Sequence, residues 1–124
     1  MAVLNYRDLL VWQKAMELVV ECYRLTEFLP KTEIYGLASQ LKRSAVSVPA
    51  NIAEGHGRDH LGEYLHHLSI ANGSLMEVET HILLAEKLRF IAKAEIEISL
   101  FKSAEVGRML AGLSKSLKNR RPQT

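Results

Sequence analysis

The chain has 124 residues, of which 48% are apolar and 24% charged, and its formal net charge is +2. This length suits one domain, and the apolar fraction excludes a disordered polar chain. A single cysteine, Cys22, excludes an internal disulfide framework. No apolar run reaches the roughly 18 residues that a spanning helix needs, and no basic segment precedes an apolar one at the N-terminus. We therefore expect a cytoplasmic protein with no membrane partner.

Apolar spacings of 3 and 4 residues predict four helices, and no strand-like alternation occurs. They are predicted over about residues 8–28, 32–56, 60–88 and 94–118, with a basic tail over 119–124. Asp8 and Thr32 are the expected N-caps of the first two helices. Gly73, within the very regular third helix, indicates close approach of a neighbour. Ser99 and Ser103 weaken the apolar seam of the fourth. The short connections predict an all-α, antiparallel up-down-up-down four-helix bundle.

The second predicted helix has three different faces, whereas an ordinary surface helix has one apolar and one charged face. Its apolar face contains Leu37, Leu41, Val48 and Ile52. Its polar stripe includes Ser47, Asn51, Glu54 and Arg58, and a third face of small residues includes Val46, Ala50 and Ala53. The small face predicts a second partner, which is either another helix of the chain or a neighbouring subunit.

Pro49 lies inside this helix, where it removes one N–H and crowds the carbonyl group of Ala45 at a cost of about 3 kcal/mol. Either the helix ends near Val48 and restarts, or it continues with a kink. We expect a kinked continuous helix, because the apolar face keeps its phase across the proline. Ser47 and Asn51 flank Pro49 and are candidates to bond the freed backbone groups.

The polar stripe has a functional and a structural interpretation. Asn51, Glu54 and Arg58 form either a binding site or a hydrogen-bonded network. Glu54 and Arg58 are four residues apart and can pair on one face, which favours the structural network.

The sequence gives little support to metal binding or catalysis. Five histidines occur between residues 56 and 81, and Glu63 and His66 have a Glu-x-x-His spacing. Di-iron bundles need two such motifs and two further glutamates, all pointing inward, and these are missing here. His67 and His81 fit an exposed face, each four residues after a glutamate. There is no glycine-rich phosphate loop and no nucleophile elbow. We predict no catalytic residue, no metal site and no cofactor.

Positive charge gathers toward the C-terminus, where residues 91–124 contain seven Lys/Arg and three Glu. No acid follows Glu105, and the final cluster consists of Lys115, Lys118, Arg120 and Arg121. These cations either contact phosphate groups or form a solvated helix end that suits the helix dipole. Lys42 and Arg43 are further candidates for contacts with nucleic acid.

The stretch QLKRSAVSVPANIAEGHGR, residues 40–58, resembles the signature of the 23S rRNA intervening-sequence protein family, also called four-helix bundle proteins. LLVWQKAMELV and IANGSLMEVETHILLA resemble the first and third helices of the family. One departure is Arg89-Phe90, where the family often has an aromatic residue after a leucine. The resemblance implies a homopentameric ring of bundles, in which Val46, Ala50 and Ala53 are candidate subunit contacts.

A related branch, the accessory variability determinant proteins of diversity-generating retroelements, is described as a positively charged barrel that binds nucleic acid and a reverse transcriptase. Catalysis is not established for the family. The resemblance and the charge pattern together predict a non-enzymatic homo-oligomer, expected to be a pentamer, that binds nucleic acid, RNA rather than DNA. The alternative is a protein–protein scaffold or accessory module, for example a partner of a reverse transcriptase, with no direct role in nucleic-acid binding.

Overall fold

The computed structural model describes residues 5–120 of the chain. Four long helices span Leu10–Thr26 (α1), Leu37–His56 (α2), Leu61–Lys87 (α3) and Lys93–Lys118 (α4). Single turns of 3-10 helix, Tyr6–Asp8 and Lys31–Glu33, precede α1 and α2. No strand occurs within residues 5–120, so the predicted all-α four-helix bundle is confirmed.

The start of α2 differs from the prediction, and an acidic side chain, not Thr32, accepts from its first backbone N–H. The helix begins at Leu37, after a 3-10 turn and the N-cap residue Gly36. The Leu37 N–H donates to Glu33 Oε1 at 3.1 Å. A carboxylate at a helix N-terminus also interacts favourably with the helix dipole. Asp8 likewise does not cap α1, whose N-cap is Leu9.

Contacts between the helices pair residues in opposite chain order. The ionic contacts of α1 with α4 are Lys14–Glu105 at 3.9 Å, Glu17–Lys102 at 3.2 Å and Arg24–Glu95 at 3.4 Å. Residue numbers rise along α1 as they fall along α4, so these helices are antiparallel. The contacts of α2 with α3, and of α3 with α4, run in the same opposed order. Each helix packs on its sequence neighbours, and α1 packs on α4.

The core occupies the space between the four helices. Its large, fully buried side chains include Leu18, Leu25, Leu41, Ile52, Leu68, Leu75, Ile82, Val106 and Leu110. Ser99 and Ser103 of α4 are also fully buried. Ser99 Oγ donates to the Ile96 carbonyl oxygen at 2.7 Å, and Ser103 Oγ donates to the Glu79 carboxylate. The two serines therefore weaken the apolar seam without leaving buried hydrogen-bonding groups unpaired.

The α2 helix passes through Pro49 as one continuous element, as the phase of its apolar face predicts. Pro49 is itself buried, next to the buried positions Ala45 and Val48. The proline frees the Ala45 carbonyl, but the flanking side chains bond to other groups. The Asn51 amide donates to the Ser47 carbonyl oxygen at 2.9 Å, and Ser47 Oγ pairs with Ser74 Oγ. The kink itself stays a prediction.

The close approach between helices occurs at a different glycine from the one that the sequence predicts. Gly73 is exposed, and a Cβ built on it would meet no other atom within 4 Å, so the expected close approach at this residue is wrong. Gly55 is buried instead, and a Cβ there would lie 2.8 Å from His67 Cβ and 3.2 Å from the Tyr64 carbonyl oxygen. The tight contact between α2 and α3 is therefore at Gly55.

Replacing Arg89 with glycine is expected to stabilise the protein by roughly 0.5–1 kcal/mol in urea unfolding. Arg89 follows α3 with a φ of 63°, which is a left-handed conformation that strains a residue with a Cβ. Its N–H donates to the Glu86 carbonyl at 2.9 Å. The next N–H, of Phe90, donates to the Ala85 carbonyl at 3.0 Å, which completes a Schellman cap.

Glycine adopts this conformation without a steric penalty. The matched control is Lys87→Gly, two residues earlier at the last helical position of α3, which should destabilise by about 1 kcal/mol. An Arg89→Gly protein that is less stable than the parent would contradict this account of the cap.

Candidate nucleic-acid interface and polar groove

The C-terminal basic cluster is exposed at one end of the bundle. Lys115 and Lys118 lie in the last turn of α4, and Arg120 follows the C-cap residue Asn119. None of the three forms an ion pair within residues 5–120. Arg121, the fourth predicted member, lies outside the described residues. The cluster therefore presents positive charge that the rest of the described bundle does not neutralise.

This cluster lies beside the first half of α3. Lys118 and residues that include Leu65, Ser69 and Asn72 line an open groove of about 250 Å³ between α3 and α4. Burial raises the pKa of the Tyr64 hydroxyl, and the positive charge of Arg120 acts in the opposite direction. The basic end of α4 thus borders a groove with polar groups from α3.

Lys42 and Arg43 lie in a different part of the molecule. Lys42 Nζ is 4.9 Å from the centroid of the Tyr23 ring, in a cation–π contact between α2 and α1. Arg43 lines a second groove, between α2 and α3, together with His81. Lys118 shares its groove with Ser69 and Arg43 shares its groove with His81. Ser69 and His81 are roughly 18 Å apart along α3 at 1.5 Å per residue. The structure does not bring the two predicted basic groups together.

The predicted polar network divides into two parts. Ser47 and Asn51 join α3: Ser47 Oγ lies 2.7 Å from Ser74 Oγ, and Asn51 Oδ1 lies 3.0 Å from His67 Nδ1. The Asn51 amide nitrogen also donates to Ser47 Oγ at 3.0 Å. Glu54 and Arg58 do not take part, but form a separate exposed ion pair at 2.7 Å. An exposed pair of this kind contributes at most about 1 kcal/mol.

The network fixes the tautomer of His67. The Asn51 amide nitrogen faces a carbonyl oxygen, so the atom facing the histidine is the amide oxygen, which only accepts. His67 Nδ1 must therefore carry the proton. Sequence reasoning placed His67 on an exposed face and missed Ser74. The sequence did contain a signal for these contacts: His67 and Ser74 are seven residues apart, which places them on one face of α3.

Cys22 is unsuited to nucleophilic chemistry. Its side chain is fully buried, and burial, with a smaller contribution from the charge of Glu21, raises its pKa to about 12. The thiol is therefore protonated at neutral pH, and the thiolate is the reactive form.

Among the described residues, no three His, Cys, Asp or Glu side chains converge as a metal ion would require. Within the same residues, no helix is long and apolar enough to cross a membrane.

The small face of α2 points away from the core of the single chain. Val46 is 43% exposed, Ala50 is exposed and Ala53 is half-buried. Val46 and Tyr23 of α1 line one shallow depression. Val20, which is 71% exposed, and Met16 follow Tyr23 along the same side of α1 at helical spacing. We call the uncharged residues Met16, Val20, Tyr23, Val46, Ala50 and Ala53 the α1–α2 strip. It runs along two helices, and Lys42 and Arg43 line the same depression as Tyr23 and Val46.

These features define a class: a four-helix bundle with an uncharged outer strip, a basic helix end and a separate polar groove. The chain belongs to the 23S rRNA-intervening sequence protein family, whose sequence pattern matches residues 7–112. This confirms the resemblance seen in the sequence.

A solved structure supports the same assignment. It is described as a protein of unknown function from the S23 ribosomal protein family of Bacteroides thetaiotaomicron. It superposes with a TM-score of 0.79 at 25% sequence identity, over 86% of this chain and 99% of that one. A search of curated protein sequences found no match.

Proposed function

We propose that this protein is a non-enzymatic, cytoplasmic homo-oligomer that binds RNA through its basic surface. The observation that carries the proposal is the exposed cluster of Lys115, Lys118 and Arg120, which has no ion-pair partner within residues 5–120. Membership of a family described by 23S rRNA intervening sequences favours RNA as the polyanion.

The expected mode of binding is electrostatic. Lysine and arginine side chains contact phosphate oxygens, release condensed counterions and carry little sequence information. The small number of cations on one chain gives a weak site. Several copies held in one ring multiply these contacts through avidity. A pentamer assembled through the α1–α2 strip would present five copies of the cluster.

Neutralising part of the cluster is expected to weaken RNA binding on the order of 20-fold at 0.1 M salt. Lys115→Gln combined with Lys118→Gln removes two phosphate contacts per chain. For single-stranded RNA, each lost contact reduces the slope of log K against log salt concentration by about 0.7. Fluorescence anisotropy with a labelled RNA, titrated at several salt concentrations, measures both the affinity and the slope.

The matched control removes two lysines that are already paired. Lys14→Gln with Lys102→Gln changes the net charge equally, but these ammonium groups contact Glu105 and Glu17 on the α1–α4 face. Their loss should change the affinity much less. If both double variants lose RNA affinity equally, the effect comes from net charge alone and not from the C-terminal cluster. RNA binding that is absent at low salt, or indifferent to salt, would refute the proposal.

A second candidate function is a protein–protein scaffold or accessory module, and one observation favours it. Phe101 is 67% exposed and Ile98 is 56% exposed on the outer side of α4. A reverse transcriptase subunit is a suitable partner to test. Its binding should survive the Lys115→Gln, Lys118→Gln exchange and be lost with Phe101→Glu if this alternative is right.

A further inference from the structure

A second polar surface, the α2–α3 groove, is not used by the electrostatic binding described above. It offers about 360 Å³ of space between the two helices. Its floor and walls include Ser44, Ser47, Ser74, Arg43, Glu77 and His81. This volume lies near the lower limit of typical ligand pockets, so it suits one small heterocycle rather than an extended polymer segment.

The walls of the α2–α3 groove carry one charge of each sign. Arg43 on α2 and Glu77 on α3 are both exposed, and neither forms an ion pair within residues 5–120. A phosphate group would be attracted by Arg43 but repelled by the Glu77 carboxylate. A neutral ligand with donors on one edge and acceptors on another satisfies both groups.

The floor supplies a further hydrogen-bond donor. Ser44 Oγ donates to the Leu41 carbonyl oxygen at 3.1 Å, so its proton is already used. Ser47 and Ser74 share a single hydrogen bond of 2.7 Å between their hydroxyl groups. Whichever hydroxyl donates, the proton of the other is not used in that bond and is available to a ligand in the groove. The Asn51 amide donates to Ser47 Oγ and holds this pair in place.

We propose that the α2–α3 groove binds a single unpaired guanine base of the RNA. This inference rests on the proposed function, since it names the part of the RNA that would be read. Guanine presents two adjacent donors, N1–H and the N2 amino group, which a carboxylate such as Glu77 accepts as a bidentate pair. Its O6 and N7 are the acceptors that an arginine such as Arg43 contacts. The His81 imidazole offers a face for stacking, as in other sites that read unpaired bases.

The other bases match these walls less well. Adenine has one amino donor and no ring N–H beside it, so it offers a carboxylate only a single hydrogen bond. Cytosine and uracil lack the N7 and O6 pair that arginine prefers. The groove therefore predicts base selectivity in a protein whose other RNA contacts are to phosphate.

The test uses the full chain and guanosine monophosphate, compared with inosine monophosphate, which lacks only the N2 amino group. Chemical-shift titration is expected to show guanosine monophosphate binding about tenfold more tightly, with shifts at Arg43, Ser74 and Glu77. Glu77→Gln should remove this difference. Glu63→Gln, at an exposed position of α3 outside the groove, should retain it. Equal affinity for the two nucleotides in the unmodified protein would overturn the proposal.

An RNA arm separates this inference from the proposed function. RNA with one unpaired guanine should bind more tightly than the same RNA with inosine, and Glu77→Gln should abolish the preference. Salt-dependent RNA binding with no such preference would overturn guanine recognition and leave electrostatic binding intact. Glu77-dependent binding of guanosine monophosphate by a protein that binds no RNA would instead overturn the proposed function and support the groove as a base site.

Discussion

Replacing Gly55 with valine is expected to destabilise the bundle by about 3 kcal/mol, at the upper end of the range for overpacked sites. Even the first added carbon would lie 2.8 Å from His67 Cβ and 3.1 Å from the Tyr64 ring. It would also lie 3.2 Å from the Tyr64 carbonyl oxygen, which is backbone and cannot move aside alone. The substitution therefore forces α2 and α3 apart. Urea unfolding followed by circular dichroism measures the change.

The matched control is the same substitution at Gly73, which is also inside a helix but has open space around it. Gly73→Val should be neutral or stabilising by a few tenths of a kcal/mol, because valine has a somewhat better helix propensity than glycine. A Gly55→Val protein as stable as the Gly73→Val protein would show that the two helices are not in tight contact at Gly55.

The contrast between the two glycines shows what helical periodicity can and cannot predict. The four helices were predictable because each buries one regular apolar stripe. Gly55 also lies on such a stripe, three residues after Ile52 and seven after Val48, and a small residue there permits close approach. Gly73 lies two residues after the seam position Ala71, which places it on the opposite side of the helix. The spacing alone therefore favoured Gly55 over Gly73 as the point of close approach.

The candidate site was less predictable, since it depends on the register between helices. Ser47 and Asn51 were recognisable as polar residues on a helix that is otherwise apolar or small. Their partners Ser74 and His67 are 27 and 16 residues further along the chain. Nothing local in the sequence states that these positions face each other. The same holds for Arg43 and Glu77, whose common groove follows from how α2 packs on α3.

Introducing carboxylates on the α1–α2 strip is expected to convert the proposed oligomer into monomers. Val46→Glu with Ala50→Glu places two charges per subunit where the proposed contact would exclude water. Lys42 and Arg43 line the same depression as Val46 and can pair with the new carboxylate there, but each charge still loses its hydration at a cost of several kcal/mol. We expect association to weaken by about 1,000-fold or more, in line with a cost of over 4 kcal/mol. Sedimentation velocity over a wide concentration range measures the assembly state.

The single chain should tolerate these substitutions, because Val46 is 43% exposed and Ala50 is exposed in it. Changes at such positions usually alter stability by no more than about 0.5 kcal/mol, so the helical circular dichroism signal should persist. The matched control is Ala94→Glu with Ile98→Glu, an exposed pair with the same spacing on α4. Dissociation by the α4 pair alone would place the subunit contact on α4. A parent protein that sediments as a monomer at every concentration would contradict assembly itself, and the basic cluster would then have to bind RNA without avidity.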